Sequence, residues 1–405
     1  MLIGIKKRIE KEILRYTSSP EGTRSLKSIS PLLGDCIKEF IRRPGKRLRP
    51  MLFVLGYLSF SKKEAPGLYT SALSIELMHD FMLVHDDIID KSDTRRGKPS
   101  MHAMLNDYLK KYKKIKFSGQ DLTIVVGDVM YAMGLQAFLA IEENKTRKEN
   151  ALKTLIEAAL KTGAGEFIEL LYGATDIKTI KKEDIYKIYD YKTAFYTFSA
   201  PLAIGAELGG ADLEEKQKLI RYGILLGRAF QIKDDLLGMF SEEKEIGKSS
   251  LSDLQEAKKT ILIWYAYHNC GPANKRTMKE MLDKKTAGRG DLIKMRSLIS
   301  DSGAPLFARA EIRRSLAQAQ HLLSLSRIKP KIKSLIQEYS RTILGFLFIC
   351  RQKGTCRLKH PAPIHCRGRS PALFSTSPCI CYCHRRLYRP GLTVHTHRQA
   401  TGQLR

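Results

Sequence analysis

The sequence is poor in cysteine where a fold would use it. Eight of 405 residues are Cys, and only Cys36, Cys270 and Cys350 precede residue 354. Those three are far apart and lack metal-ligand spacing. This excludes a disulfide-stapled scaffold and suits a reducing cytoplasm, where Cys packs as a small apolar residue. The opening MLIGIKKRIEKEILRY mixes charge with apolar residues at helical spacing, unlike the unbroken apolar run of a secretory leader. No stretch reads as the roughly 20 apolar residues that cross a bilayer. The nearest, residues 343–350, is too short, so no integral membrane segment is expected. Period-two alternation of β-branched residues is scarce, which argues against sheet. No Ser-His-Asp or Cys-His pattern offers a protein nucleophile.

Acid is missing from one end. Residues 354–405 hold no Asp or Glu, against one Lys and eight Arg. They also carry Cys356, Cys366, Cys379, Cys381 and Cys383, with His360, His365, His384, His395 and His397. Cys-x-Cys-x-Cys-His does not match the paired spacing of zinc sites. A disordered, nonfunctional extension is the favoured reading over a zinc appendage, and an unrelated reading frame also fits the abrupt loss of acids. The chain is thus divided into a catalytic domain, 1–353, and a basic tail, 354–405. Of the net charge of +28, nine units lie in the tail, leaving +19 on the body. There the Lys residues are interspersed with Glu and Asp, as on a solvated helical surface. Nucleic acid is not expected as a partner.

What is present is helix. Apolar residues recur at three and four over 68–92, 122–141, 151–172, 183–209 and 215–240. Breakers punctuate them at residues 19–22, 43–45, 97–99, 209–210 and 271–272. The expected fold is all-α: a large helical bundle around a central active-site cavity.

Within the apolar segment 73–89 stands His85-Asp86-Asp87-Ile88-Ile89-Asp90. On a helix Asp86 and Asp90 are one turn apart, with Asp87 about 100° around, so the three carboxylates read as sharing one face. Buried carboxylates without counter-charge are costly. Oxygen-only ligands point to Mg²⁺, which keeps waters and phosphate oxygens in its shell. The alternative is an ordinary solvated polar face, against which the preceding apolar run argues. A second pair, Asp234-Asp235, follows Gln231 on another apolar segment. Cations accompany both: Lys46, Arg47 and Arg49 beside a turn, Arg95 and Arg96 after the first motif, Lys192 beside Thr193, and Lys248 and Lys258 after the second. Each alone reads as a surface cation. Together with the acidic groups they outline a site for two diphosphates and bridging metals.

Over roughly residues 1–350 the chain resembles the trans-isoprenyl diphosphate synthase (polyprenyl synthetase) family. The stretches that carry the resemblance are GKRLRP, IELMHDFMLVHDDIIDKSDTRRGKPSMH, VVGDVMYAMG, YKTAFYTFSAPLAIGA, and FQIKDDLLGMF with GKSSLSDLQEAKKT. The resemblance implies an Mg²⁺-dependent prenyltransferase and a homodimer. Its substrates would be isopentenyl diphosphate and the allylic dimethylallyl, geranyl and farnesyl diphosphates. It implies that Asp86, Asp87, Asp90, Asp234 and Asp235 bind metal. It gives Arg95, Lys192, Lys248 and Lys258 to the allylic diphosphate, and Thr193 and Gln231 to the allylic end. Lys46, Arg49, His79 and Arg96 fall to isopentenyl diphosphate. From the residues alone, His79 reads as a core histidine. A terpene cyclase lacks an isopentenyl site, and a regulatory subunit would not keep intact metal and cation motifs.

Three departures stand out: Gly238 where many members have a third Asp, Gly165-Glu166-Phe167-Ile168-Glu169 for Gly-Gln-x-x-Asp, and Ala257 for a common Gly. For product length, a helical wheel places Met82 on nearly the face of Asp86, with Phe81 pointing well away. The family instead places its short-chain aromatic at Phe81. The first motif also has no insertion between Asp87 and Asp90, and that combination is similar to geranylgeranyl diphosphate synthases of the archaeal type, giving a C20 product with C15 as runner-up.

Overall fold

The computed structural model describes residues 1–241, 252–284 and 286–345. Lys248 and the tail 354–405 lie outside the described residues. The expectation of an all-helical protein is met. The strands among the described residues are Thr94–Arg95 and Lys98–Pro99, which form one antiparallel hairpin.

The helices begin where capping chemistry allows. α1 is Leu2–Tyr16, α2 Ser25–Ile29, and α3 Pro31–Ile41. α3 starts on Ser30, whose hydroxyl accepts from Leu33 N–H at 3.4 Å, and Pro31 supplies the first turn. α4 (Leu48–Phe60) and α5 (Leu68–Ile89) follow. α6 is Met101–Leu109 and α7 Gly119–Phe138; α7 opens with a capping box in which Ser118 N–H donates to Asp121 at 2.7 Å. α8 is Lys145–Ala174 and α9 Lys182–Ile188, which runs without a break into a π-helical segment, Tyr189–Ser199, and α10, Ala200–Gly209. α11 (Leu213–Phe240) is capped by Asp212, which accepts from Glu215 N–H at 3.0 Å. Later come α12 (Ile261–Asn269), α13 (Pro272–Leu282), α14 (Arg289–Asp301), α15 (Ala304–Leu325) and α16 (Pro330–Leu344).

α5 is buried on most of its circumference, with Leu73, Ile75, Leu77 and Met78 all inside. It is the central helix of the bundle. α4 and α10 approach to backbone contact because glycines line their seam. A Cβ on Gly205 would stand 2.0 Å from Phe53 O, and one on Gly56 would stand 2.4 Å from Leu202 O. α7 corrects one expectation. It is 20 residues long and apolar enough, by length and composition, to cross a membrane. Asp121 and Asp128 interrupt it, and 44% of its apolar window is buried inside the protein.

Candidate active site

Two cavities meet at the centre of the bundle. The polar one, about 560 Å³, is lined by Asp86, Asp90 and Arg95 on one side and Gln231, Asp234 and Asp235 on the other. Lys46, Glu169, Lys192, Thr193 and Lys258 complete its rim. The apolar one, about 480 Å³, runs between α5 and α8 past Phe81, Met82, Phe167 and Leu170. Asp86, Lys192 and Thr193 line both. A charged chamber thus opens directly onto a greasy one.

The first acidic motif divides. Asp86 and Asp90 open on the cleft, but Asp87 is fully buried and turned to Arg95. Arg95 Nε donates to Asp87 Oδ1 at 2.8 Å, and Nη2 donates to the same oxygen. The expectation that all three carboxylates share one face is therefore corrected: the 100° step between neighbours carries Asp87 off the cleft. Burial, with Glu166 next, pushes Asp86 up to about 7. Burial also raises Asp87, while Arg95 pulls against it.

The second motif is held from behind. Asp235 accepts from Gln231 Nε2 at 3.0 Å and from the hydroxyl of Tyr189. Thr193 Oγ1 donates to Gln231 Oε1 at 2.8 Å, and Ile261 N–H donates to the Tyr189 oxygen at 2.9 Å. The π-helical segment thereby ties α11 to the start of α12. Its wider turn aims Lys192 and Thr193 into the cleft, a use to which such bulges are often put.

Lys192 is clasped by Glu166 and Glu169. Burial opposes its charge, but the two carboxylates outweigh it and hold the ammonium above the ordinary lysine range. Lys258 behaves likewise: burial lowers it, and Glu169 and Asp90 more than restore it. Ala257, just before it, sits in the left-handed region at φ +50°, which explains why a glycine is at home there.

The four residues expected at an isopentenyl diphosphate site do not line one cavity. Lys46 faces the polar chamber, whereas Arg49 lines the apolar one. Arg49 Nη2 donates to Thr197 Oγ1 at 2.9 Å and to the Tyr196 hydroxyl. That hydroxyl also meets His79 Nδ1 at 3.1 Å. Burial, then the charges of Arg49 and Arg96, holds His79 well below its ordinary pKa and hence neutral. Arg96 projects from the hairpin turn, where it and Gly97 both have positive φ. Arg47 points the other way, into a buried ion pair with Glu76 at 2.8 Å.

Phe81 corrects the helical wheel. It does not point away from the cavity but lines it with Met82. It sits edge-on to His85, at 5.5 Å and 89°, and against Tyr131 of α7 at 5.2 Å. The cavity is broad enough to span more than one face of α5.

Sequence reading missed Tyr189, Tyr196, and Glu166 and Glu169 as partners of Lys192. The departure from Gly-Gln-x-x-Asp was the one signal for the glutamates. Among the described residues, no three His, Cys, Asp or Glu side chains enclose an ion unaided. The donor set is oxygen-only, and Asp86 is a half-buried carboxylate pushed up by burial and by Glu166. That fits a divalent cation whose shell phosphate oxygens complete.

Comparison with known proteins agrees with this geometry. The geranylfarnesyl diphosphate synthase of Aeropyrum pernix is 32% identical over 73% of this chain and 89% of its own length. The geranylgeranyl diphosphate synthase of Sulfolobus acidocaldarius is 32% identical over 63% of this chain and 73% of its own. Among solved structures, the geranylgeranyl pyrophosphate synthase of Corynebacterium glutamicum complexed with isoprenyl diphosphate and magnesium superposes with a TM-score of 0.76. The overlap covers 85% of this chain and 99% of that one, at 21% identity, a likeness of fold. The family model described as polyprenyl synthetase matches residues 30–299, and the chain belongs to that family.

Proposed function

We propose that the protein is an Mg²⁺-dependent trans-prenyltransferase. It condenses isopentenyl diphosphate with an allylic diphosphate (dimethylallyl, geranyl or farnesyl) to give a short all-trans polyprenyl diphosphate. Geranylgeranyl diphosphate is the favoured product and farnesyl diphosphate the runner-up. The observation that carries the reading is a chamber with carboxylates on two facing walls that opens onto an apolar groove beside Phe81 and Met82. Relatives named geranylgeranyl, geranylfarnesyl and farnesyl diphosphate synthases support it.

Asp86, Asp90, Asp234 and Asp235 would hold Mg²⁺, while Asp87, turned off the cleft, would fix Arg95 at its edge. The bound metal supplies charge to offset the departing diphosphate. Lys192, Lys258 and Arg95 bind the allylic diphosphate, while Lys46, Arg49 and Arg96 with His79 serve isopentenyl diphosphate. As the allylic C–O bond ionises, the oxygens of Thr193 and Gln231 face the developing cation. The double bond of isopentenyl diphosphate adds to it, and a proton leaves to the released diphosphate. The apolar walls keep out water that would quench the cation.

The chain works as a homodimer in the cytoplasm. Exposed Ile124 and Val125 on α7 and Ile156 and Leu160 on α8 support a covered apolar surface. Sedimentation should give twice the chain mass. The deciding experiment is chromatography of products from labelled isopentenyl diphosphate and each allylic primer. A C20 product is expected; no incorporation with any primer overturns the function.

A further inference from the structure

α5 carries two carboxylates that the proposed reaction does not use, Glu76 and Asp80. Asp80 lies directly after His79 and has no exposed surface. Among the described residues, neither of its oxygens has a hydrogen-bond partner. Glu76, one turn earlier, is equally deep but accepts from Arg47 Nη1 at 2.8 Å. The contrast is informative, because a buried charge is normally paired.

Cations are near Asp80, yet their hydrogen bonds go elsewhere. Arg96, Arg47 and Arg49 all act on it electrostatically. Arg47 is spent on Glu76, on Glu10 of α1 at 3.0 Å, and on the carbonyls of Ile41 and Arg43. Arg49 is turned to Tyr196 and Thr197, and its buried Nε is left without a partner. Arg96 stands exposed on its hairpin. Arg49 and Arg96 are the two guanidinium groups assigned above to isopentenyl diphosphate. An ionised Asp80 and an arriving diphosphate therefore draw on the same two cations.

We propose that isopentenyl diphosphate binds with Asp80 in its protonated form, the proton coming from solvent wherever the carboxylate is ionised, so that Asp80 tunes this pocket as a positioning residue. The inference rests on the assignment of that pocket. The chemistry agrees: burial first, and Glu76 next, push Asp80 up to about 8, with the three arginines pulling the other way. Asp86, further along α5, is pushed up to about 7, but it faces the polar chamber and is common to both proteins compared below. His79 on α5 is held well below its usual value, and Tyr339 on α16, near Glu76, is held above its own. Glu76 and Glu10 are paired with Arg47, and the arginines stay charged.

The test compares wild type with Asp80→Asn, which keeps the shape and removes the proton equilibrium. KM for isopentenyl diphosphate is measured from pH 6.5 to 9.5 with the allylic substrate saturating. A single group near 8 predicts that the wild-type KM rises about tenfold between pH 7 and pH 9. In Asp80→Asn that rise is lost, and the KM for the allylic substrate follows the same profile in both. Thermal unfolding without ligand gives a second readout. A raised Asp pKa means that its stability contribution is full below about pH 4 and is lost as pH rises through about 8. Asp80→Asn should therefore gain on wild type over that range and hold the gain above it. An identical KM rise in both proteins, or a melting difference that does not change with pH, overturns the proposal. Wild type that never incorporates isopentenyl diphosphate strikes the function instead, and the melting comparison still judges Asp80.

Discussion

Asp86 and Asp234 stand on opposite walls of one chamber, and neither is a stabilising core residue. Their removal should leave the fold and strip the site of its anions. Asp86→Ala or Asp234→Ala is expected to lower turnover by orders of magnitude, since a metal clamp on a leaving group supplies several kcal/mol. Steady-state rates with and without excess chelator check this, and a near-normal rate in either case contradicts it. Product length also turns on single side chains. Phe81 is wedged between His85 and Tyr131, so its ring forms a fixed stop in the apolar groove. Phe81→Ala should shift products to longer chains. Met82→Ala should shift them less, because a flexible thioether yields to a growing chain. Chromatography of the two product sets decides, and unchanged lengths in Phe81→Ala would place the stop on another helix.

At the scale of elements, α4, which carries Arg49, closes on α10 backbone to backbone. Gly205→Ala would drive a methyl into Phe53 O, and overpacking of this kind costs about 1–3 kcal/mol. A lowered denaturant midpoint with an unchanged slope is the expected result. The helices themselves were legible in the sequence. α5 and α11 announced themselves as apolar segments bearing acids, and Asp86, Asp90 and Asp234 do meet in one chamber. What hid was everything that depends on direction. The stretch 183–209 read as one regular helix, but a π-helical segment in its middle breaks the 3.6 period and re-aims Lys192 and Thr193. Asp87 and Phe81 were misplaced for a related reason, since a bare wheel shows angles but not where the cavity lies. Asp80 gave no signal at all: its isolation follows from where Arg47 and Arg49 turn, and that is settled by partners far away in sequence.

For the whole molecule, the chamber is lined by residues between Lys46 and Thr260. Every candidate site residue except Lys248 falls within residues 46–258 of the described chain. Ending the chain after Lys353 should therefore leave both helicity and prenyl transfer intact. Circular dichroism and the incorporation assay test this together. Stoichiometric zinc in the full chain, lost along with activity on truncation, would show that the tail belongs to the enzyme.

The clasp of Glu166 and Glu169 on Lys192 has a bearing on which molecules the chamber admits. The ammonium is already neutralised before any ligand arrives. A visiting anion therefore gains little from Lys192 unless it outbids two carboxylates at once. A monophosphate ester, with at most about two charges, roughly matches what it must displace. A diphosphate ester carries more charge than that, and a divalent cation bound with it attracts the carboxylates that leave Lys192. The clasp sets an entry threshold, and selectivity for a diphosphate is built from competition within the site rather than from an added contact.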